Sequence, residues 1–580
     1  MPSRYGKRIF QRAIETARML VIGQLEGSVR SRFPYLIFVI ASFGLAFLVS
    51  GIAQVKEKPP LHGYPQDWTH RHIVFSRKSL SSLPQLAAIE PRVLQQALRQ
   101  AEPYLRATWK GIPSGRLGES FDGTGRDWNV ALGIGRVNFG MSPAKYGFDP
   151  SAPPSCSDDF VTFGLNVAGV TGGQANMVAF NNLYSGSGGI CTGPTILFAY
   201  NTTTGTNGRV MTSPVLSLDG TKIAFVESAT SQSIFHVLTW ATGTGNGTSA
   251  TNSAVPGVGN TASMTSLTYA TTTTDTRSSP WIDYINDVAY VASDNGKLYK
   301  ITGVFNGTPA LAGAPWPVTI FAGRHFTGAV LDQFTGNLFL GDGQGVLYSL
   351  NAANPTGSLK SLAVGLSGQR NPAILDAPIV DASDGTLFAI SSNDGTSAVI
   401  VQADTATLTS LTKVRLGQGS TAGTNVNLYD GAFDNNYFND PSTGTMFVCG
   451  TGAADNTPRG YTLNFTGKIL NPTPLSQTQL LTSARSRCSP ISEFFNPNIG
   501  VGGTDFFFLG LTADCLGANT SGCIMARPNP GTVITLNETG GTSVIITDNT
   551  STLGQASSLY FTNQGGNPAR AVKLTQNGLQ

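Results

Sequence analysis

The sequence predicts an all-β fold, a seven-bladed β-propeller, and three observations support this prediction. A short phrase recurs six times in the C-terminal two thirds of the 580 residues. Its copies lie 49 to 66 residues apart, close to the repeat length that radially arranged four-stranded blades produce. Charged residues make up only 12% of the chain and glycine alone contributes 68 residues, a composition typical of a turn-rich β protein.

The repeated phrase combines an extended segment, a tight turn and an apolar strand. Its copies read SPVLSLDGTKIAFV, SPWIDYINDVAYV, GAVLDQFTGNLFL, APIVDASDGTLFA, DGAFDNNYFNDPSTGTMFV and SPISEFFNPNIGVGGTDFFFL. Aligned on the fifth residue, they bring Ser217, Asp283, Asp332, Asp381, Asp434 and Glu493 into register. Glycine in turns such as SDGT adopts positive φ without steric cost, as a tight hairpin requires. A third strand, GKLYKI or GVLYSL, follows in two copies.

The blade count comes from the six copies plus strands that precede them. Residues 159–163, 176–182 and 195–201 are short apolar runs between turn residues and predict a further blade. Two more strands, SSLYFTN and ARAVKLTQ, follow the last copy. A strand from one terminus that completes a blade begun at the other would close the ring and remove its edges. We expect seven blades, with six or eight as alternatives.

The N-terminus predicts export. Residues 1–32 are basic and amphipathic, and residues 33–55 contain no charge over 23 residues. A helix of that length spans about 34 Å, enough to cross the ~30 Å hydrocarbon core. The positive-inside rule predicts a single-pass inner-membrane protein with a cytoplasmic N-terminus and a periplasmic propeller. The alternative is a signal peptide that starts at Met19 and is cleaved near Ala53, which would give a secreted protein.

Between the apolar segment and the propeller, residues 56–126 are expected to form a separate juxtamembrane segment. A helix is predicted from Glu90 to Lys110, with Pro91 at a position that favours a helix start. A glycine-rich linker follows at residues 111–125, and the propeller is assigned to residues 127–580.

All six cysteines lie beyond residue 155, and an even number in an exported protein suggests disulfides. Six cysteines allow 15 connectivities. The preferred pairs are those that flank one blade segment or loop, namely Cys156–Cys191, Cys449–Cys488 and Cys515–Cys523. Zinc binding is disfavoured because no CxxC pair occurs and no histidine lies near a cysteine in sequence.

The blade motifs resemble those of known propeller families. SPVLSLDGTKIAFVES resembles a TolB-type blade, and DNGKLYKITG and GQGVLYSLNA are similar to inner strands of YncE and quinoprotein-like propellers. The whole chain is also similar to a group of exported bacterial proteins, a resemblance that carries no activity with it. LDQFTGNLF lacks the tryptophan of the quinoprotein docking motif, and SLDGTK lacks the aromatic residue of a sialidase Asp box. The resemblance, over roughly residues 155–580, therefore implies a fold and argues against both enzyme classes.

Two groups of side chains are candidate sites. The acids in register, Asp283, Asp332, Asp381, Asp434 and Glu493, would ring a channel and bind a cation such as calcium, or else each would cap its own turn. His70 and His72, two residues apart on a strand-like piece, would share one face and bind a metal together with Asp67 or His62, or else serve at a docking surface.

No catalytic signature emerges from the sequence. We find no serine elbow, no Ser-x-x-Lys motif and no phosphate-binding loop, and the net charge of +3 gives no support for nucleic-acid binding. We therefore expect a membrane-anchored binding or scaffolding module of the cell envelope, without a required cofactor, whose partner is a protein or a glycan. The alternative is a polysaccharide hydrolase or lyase with its site in the propeller funnel.

Overall fold

Eight sheets, each with four or five strands, make up the fold. The computed structural model describes residues 64–76, 90–93, 96, 127–147 and 154–575, apart from short gaps at 187, 367–372, 420–426, 456, 482–486, 497–498, 514, 516–520 and 550–556. The described strands form an eight-bladed β-propeller. The expected basic segment 1–32 and apolar segment 33–55 lie outside the described residues. Among the helices that the structure does describe, none has the length and apolar character needed to cross a bilayer.

The strands follow the chain blade by blade. The N-terminal strands are β1 Tyr64–Gln66, β2 Ile73–Val74 and β3 Trp128–Ala131. Blade 1 contains β4 Ala144–Gly147, β5 Phe160–Gly164, β6 Met177–Asn181 and β7 Thr195–Tyr200. Blade 2 contains β8 Arg209–Val210, β9 Val215–Leu216, β10 Lys222–Ala229, β11 Gln232–Thr239 and β12 Ser263–Ala270. Blade 3 contains β13 Trp281–Asp283, β14 Val288–Ser293, β15 Lys297–Thr302, β16 Ala310–Leu311 and β17 Val318–Thr319.

The remaining blades repeat the same meander. Blade 4 contains β18 Val330–Asp332, β19 Asn337–Gly341, β20 Val346–Asn351 and β21 Lys360–Ala363. Blade 5 contains β22 Ile379–Asp381, β23 Thr386–Ser391, β24 Ser397–Asp404 and β25 Ser410–Gln418. Blade 6 contains β26 Ala432–Phe433, β27 Thr445–Thr451, β28 Pro458–Thr466, β29 Ile469–Leu470 and β30 Ser476–Gln479. Blade 7 contains β31 Ser492–Asn496, β32 Thr504–Leu511, β33 Cys523–Asn529 and β34 Ile534–Asn537, and blade 8 contains β35 Ile546–Asn549, β36 Ser557–Thr562 and β37 Arg570–Thr575.

Short helical segments also lie outside the sheets in the described part of the chain. They are α1 Thr69–His72, α2 Asn435–Asn439 and a 3-10 turn at Pro441–Thr443. Residues 91–93 are also helical, in agreement with the helix predicted to start at Pro91; most of the rest of that helix lies outside the described residues.

The expected count of seven blades is wrong by one, because the two strands after the last copy, β36 and β37, were not counted as part of a separate blade 8. SPAKY at residues 142–146 opens blade 1 and SVIIT at residues 543–547 opens blade 8. Their fifth residues are Tyr146 and Thr547. The three apolar strands placed before the first copy are confirmed as β5, β6 and β7.

The expected ring closure is confirmed. Strand β3, from the N-terminal side of the chain, pairs antiparallel with β37 and completes blade 8 at its outer edge. The Trp128 indole donates from Nε1 to the Leu183 carbonyl of blade 1 at 3.2 Å. Closure therefore completes blade 8 with a strand from the N-terminal side, and Trp128 joins blade 8 to blade 1.

Apolar faces pack between neighbouring blades. The largest cluster runs from blade 2 to blade 5 and includes the fully buried Trp281, Leu340 and Val380. Trp68 and Phe75, from the region before the first blade, belong to the same cluster. The propeller core therefore includes part of the segment that the sequence had set apart as juxtamembrane.

The three preferred cysteine pairs are disulfide-bonded in the structure. Cys156–Cys191 joins loops of blade 1, Cys449–Cys488 joins β27 to the start of the blade 7 phrase, and Cys515–Cys523 joins the loop between β32 and β33 to the start of β33. None of the described cysteines is free.

Candidate functional site in the axial channel

Residues 64–76, here called the axial segment, enter the centre of the propeller. Strand β1 pairs antiparallel with β4, the innermost strand of blade 1, and β2 pairs parallel with β22, the innermost strand of blade 5. In a ring of eight blades, blades 1 and 5 lie opposite each other. Since the innermost strands line the central channel, the residues between β1 and β2 cross it.

Asp67 and Trp68 attach the axial segment to blades 2 and 3. The Asp67 carboxylate accepts a hydrogen bond from Leu216 N at 3.4 Å, and the Trp68 Nε1 donates to the Pro280 carbonyl at 3.2 Å. Burial acts to raise the pKa of Asp67, but hydrogen bonds from His70 and Thr69 outweigh it, so the pKa is lowered. The Trp68 ring also requires a glycine at position 328 in blade 4, because a Cβ there would lie 2.4 Å from the ring.

Arg71 and His72 meet two carboxylates between blades 5 and 6. The Arg71 guanidinium contacts Asp430 and lies 3.6 Å from Asp376. His72 sits between the same acids, with Nε2 3.4 Å from Asp376 and Nδ1 3.4 Å from Asp430. Burial outweighs the attraction of Asp376 and lowers the pKa of His72 to about 4. We call these four side chains the axial cluster.

The axial cluster includes a candidate metal-ligand set. Ligand atoms of His72, Asp376 and Asp430 lie within 4.8 Å of one another, and among the described residues His72 Nδ1 and Asp430 Oδ2 have no hydrogen-bond partner. Imidazole and carboxylate together suit zinc or a similar cation. However, the two nitrogens of His72 face different acids, and Arg71 already brings a positive charge to both. The geometry fits a buried ion-paired cluster better than a metal centre.

Glu90 and Arg92 make a second buried attachment. Arg92 forms a bidentate pair with Glu90, donates to the Ile282 carbonyl at 2.9 Å, and lies with its guanidinium 4.1 Å from the centre of the Trp281 ring. Gln333 of blade 4 donates to Glu90 at 2.7 Å. Burial acts to lower the pKa of Arg92, but the Glu90 carboxylate outweighs it and raises the pKa. Arg92 therefore stays charged in a site from which water is excluded.

The predicted ring of acids lies where the innermost strands end and their turns begin. The carboxylates of Asp283, Asp332, Asp381 and Asp434 each accept backbone N–H bonds from residues two or three positions on in the chain. These contacts match the turn-capping alternative. Glu493 is half-buried in β31 and lines a cavity beside the axial segment. Calcium binding by this ring stays a prediction.

His70 and His72 do not share a strand face. They lie in the helical turn α1, between β1 and β2, so positions two apart point in different directions around the helix. His70 lies 3.6 Å from Asp67, whereas His72 belongs to the axial cluster. Of the two histidines, only His72 therefore lies near the carboxylates of Asp376 and Asp430.

The raised pKa of Asp381 predicts that the stability of the protein depends on pH. Burial, with the nearby Asp384 carboxylate, raises its pKa from 3.8 to about 7. Because the folded state holds this proton more tightly, the stabilisation is complete below pH ~4 and is lost as the pH rises through 7. We expect Asp381→Asn to remove this loss, so that urea midpoints of the variant and the wild type diverge between pH 5 and 8, with the variant more stable at pH 8.

Asp394 supplies the matched control for this titration. Hydrogen bonds from Lys413 and the backbone overcome a partial burial effect and lower the pKa of Asp394 to about 2. Its contribution changes only below pH ~4, so Asp394→Asn should run parallel to the wild type from pH 5 to 8. Parallel curves for Asp381→Asn as well would contradict the raised pKa.

Little open space remains in the described part of the channel. A cavity of about 100 Å³ lies between the axial segment and the inner strands of blades 5 to 8, and a second one beside Trp68 and His72 holds about 10 Å³. Small-molecule sites commonly occupy roughly 300–1,000 Å³. The sequence did not predict this filling. Its one local signal was the apolar run Ile73–Phe75, which is too short to identify a partner strand.

The fold and the channel together define an eight-bladed β-propeller whose channel is crossed by its own N-terminal segment. No protein-family model matches the sequence, and no curated protein matches it. Solved structures that are similar include BamB from Moraxella catarrhalis, at 12% identity over 78% of this chain and 98% of that one, with a TM-score of 0.39. The Dos1 propeller is 11% identical over 77% of this chain and 95% of that one, with a TM-score of 0.47. Identities and TM-scores this low carry no argument about function.

Proposed function

We propose that this protein is an exported propeller that binds a protein partner in the cell envelope and acts as a scaffold. The observation that supports the proposal most strongly is the filled channel. The axial segment and Arg92 bury charged and aromatic side chains where a propeller enzyme would hold its substrate. Recognition is then left to the loops and outer faces of the blades.

The same observation weighs against the alternative of a polysaccharide hydrolase or lyase in the funnel. The cavity of about 100 Å³ beside the axial segment is smaller than typical small-molecule sites, and four of the five acids in register are engaged by their own turns. A glycan remains a second kind of partner for the outer surface. Membrane attachment through residues 33–55, periplasmic location and membership of a TolB, YncE or quinoprotein-like family are further parts of the proposal that rest on sequence alone.

A rigid loop of blade 2 is the best candidate for partner recognition. Residues 240–262 fold over the outer edge of blade 1, where Ala199 N donates to the Asn246 carbonyl at 2.7 Å and Asn201 N donates to the Ala254 carbonyl at 2.8 Å. At the tip, the Asn260 side chain donates to the Gly245 carbonyl at 2.7 Å and accepts from Gly257 N at 2.9 Å. A preorganised loop loses little conformational entropy on binding.

Val258 lies at this tip with 66% of its surface exposed and provides a test. The full-length protein would be tagged, crosslinked in the cells that produce it and purified from the membrane fraction. We expect one protein partner at a constant molar ratio through gel filtration. Val258→Asp should lower the recovery of that partner at least roughly 10-fold, because it places a charge in the centre of the contact.

Val501 provides the control, since it is fully exposed in the turn between β31 and β32 of another blade. Val501→Asp should recover the partner as the wild type does. Equal recovery with both variants would assign recognition to another surface. The absence of any partner at constant ratio, together with a melting-temperature rise on adding oligosaccharides, would overturn the protein-scaffold proposal in favour of a glycan-binding surface or the funnel enzyme.

A further inference from the structure

Three polar side chains line up across blade 2 in the order of a nucleophile, a base and an orienting acid. Ser266 Oγ lies 2.9 Å from His236 Nδ1, and His236 Nε2 lies 2.7 Å from Glu227 Oε2. The three residues come from neighbouring strands β12, β11 and β10, and His236 faces Ser266 directly in the β-sheet register. The sequence did not predict this array because its members lie 9 and 30 residues apart in the chain.

The contacts of Glu227 determine the tautomer of His236. Its carboxylate also accepts hydrogen bonds from Thr204 N at 3.0 Å, Thr204 Oγ1 at 2.7 Å and Gly205 N at 2.8 Å. Burial acts to raise the pKa of Glu227, but hydrogen bonds from His236 and Thr204 outweigh it, so the pKa is lowered. An ionised carboxylate only accepts, so in the neutral imidazole Nε2 carries the proton. Nδ1 is then free to accept the proton of the Ser266 hydroxyl.

Packing holds the base and the acid in place. Both side chains are fully buried, and the His236 ring stacks on Phe225 with 5.0 Å between ring centres. Gly208 leaves room for the acid, because a Cβ there would lie 1.6 Å from Glu227 Oε1. Ser266, by contrast, is exposed on the outermost strand of the blade. A buried, oriented base thus serves a hydroxyl that solutes reach from solvent.

We propose that Ser266 is an activated nucleophile that accepts the acyl group of small, unhindered esters, with His236 as its general base and Glu227 as a positioning residue. Ser266 Oγ attacks the carbonyl carbon while its proton passes to His236 Nδ1. The new Oγ–C bond forms, the bond from carbon to the leaving oxygen breaks, and the proton passes from His236 to that oxygen. A water molecule then attacks the acyl carbon, with His236 again as general base. The Oγ–C bond breaks, and the carboxylic acid and the free Ser266 hydroxyl are released.

A fluorophosphonate probe tests the proposal on the full-length protein. Its phosphorus bonds to the serine oxygen and fluoride leaves, so intact mass and peptide mapping locate the adduct. We expect one adduct, on Ser266, and its loss in Ser266→Ala. Ser263→Ala is the matched control, because Ser263 is exposed on the same strand and should not affect labelling. Hydrolysis of p-nitrophenyl acetate should follow the same pattern.

The role of the base has its own readout. His236→Gln should slow labelling roughly 100-fold, within the range expected for loss of a general base. In the wild type the labelling rate should rise with pH, because a general base acts only in its unprotonated form. If His236→Gln does not fold, Glu227→Gln, which keeps the side-chain volume, takes its place. An adduct on another residue, unchanged labelling of Ser266→Ala, or a flat pH profile would overturn the proposal.

Discussion

Replacing both Asp376 and Asp430 with alanine is expected to release the axial segment from the channel. Arg71 is 13% exposed at its side chain and has these two carboxylates as its ion-pair partners in the described structure. Without them, a largely buried guanidinium loses its counter-charges, and His72 loses the groups on both sides of its ring. Removing one side of a buried ion pair costs about 3–5 kcal/mol.

Limited trypsin digestion measures this release at a defined bond. In the wild type, the bond after Arg71 lies in a helical turn inside the channel and should resist cleavage. In the double variant, we expect mass spectrometry to detect a new fragment that begins at His72, together with a lower urea midpoint. Cleavage and midpoint both unchanged would show that the axial cluster does not hold the segment.

Asp455 provides the control for the loss of a carboxylate. It pairs with Arg459 four residues on, at 2.9 Å, and its side chain is 45% exposed. Exposed pairs of this kind contribute about 0–1 kcal/mol because water screens both charges. Asp455→Ala should therefore keep the wild-type digestion pattern and nearly the wild-type midpoint.

Asp548→Ala is expected to weaken the closure of the ring. Lys145 Nζ lies 2.9 Å from Asp548 Oδ2, and both side chains are fully buried. Lys145 lies in β4, the innermost strand of blade 1, and Asp548 lies in β35, the innermost strand of blade 8. The variant leaves an ammonium group buried without its counter-ion, and we expect a loss of about 3–5 kcal/mol in the free energy of unfolding.

Denaturant unfolding followed by tryptophan fluorescence measures this loss. Lys413→Ala is the control, because Lys413 pairs with Asp394 at 2.6 Å but is 44% exposed, and its loss should cost about 0–1 kcal/mol. The double variant Lys145→Met, Asp548→Leu should recover most of the stability, since apolar replacements of a buried pair remove the desolvation cost. A loss under about 1 kcal/mol in Asp548→Ala would contradict the role of this pair.

The blades themselves were predictable from the sequence, since each depends on residues close together in the chain. Strands such as β5 and β14 follow from short apolar runs, and their turns follow from Asp-Gly and Thr-Gly steps. The fold class, ring closure by terminal strands and the three disulfides were predicted on this local basis. The count of eight was missed because the phrase that opens blade 8, SVIIT, has Thr547 at its fifth residue and was not recognised as a copy.

Only the tertiary structure decided what fills the channel and which polar groups meet. Trp68 binds a carbonyl 212 residues away and Arg71 a carboxylate 359 residues away, distances over which no local pattern predicts a contact. His236 looked isolated along the chain and gains both partners only because three strands pair in register. By itself, the sequence determined the repeating unit, since hairpin and turn preferences act over a few residues. The tertiary structure determined the sites, because residues buried in or between blades contact each other whatever their separation along the chain.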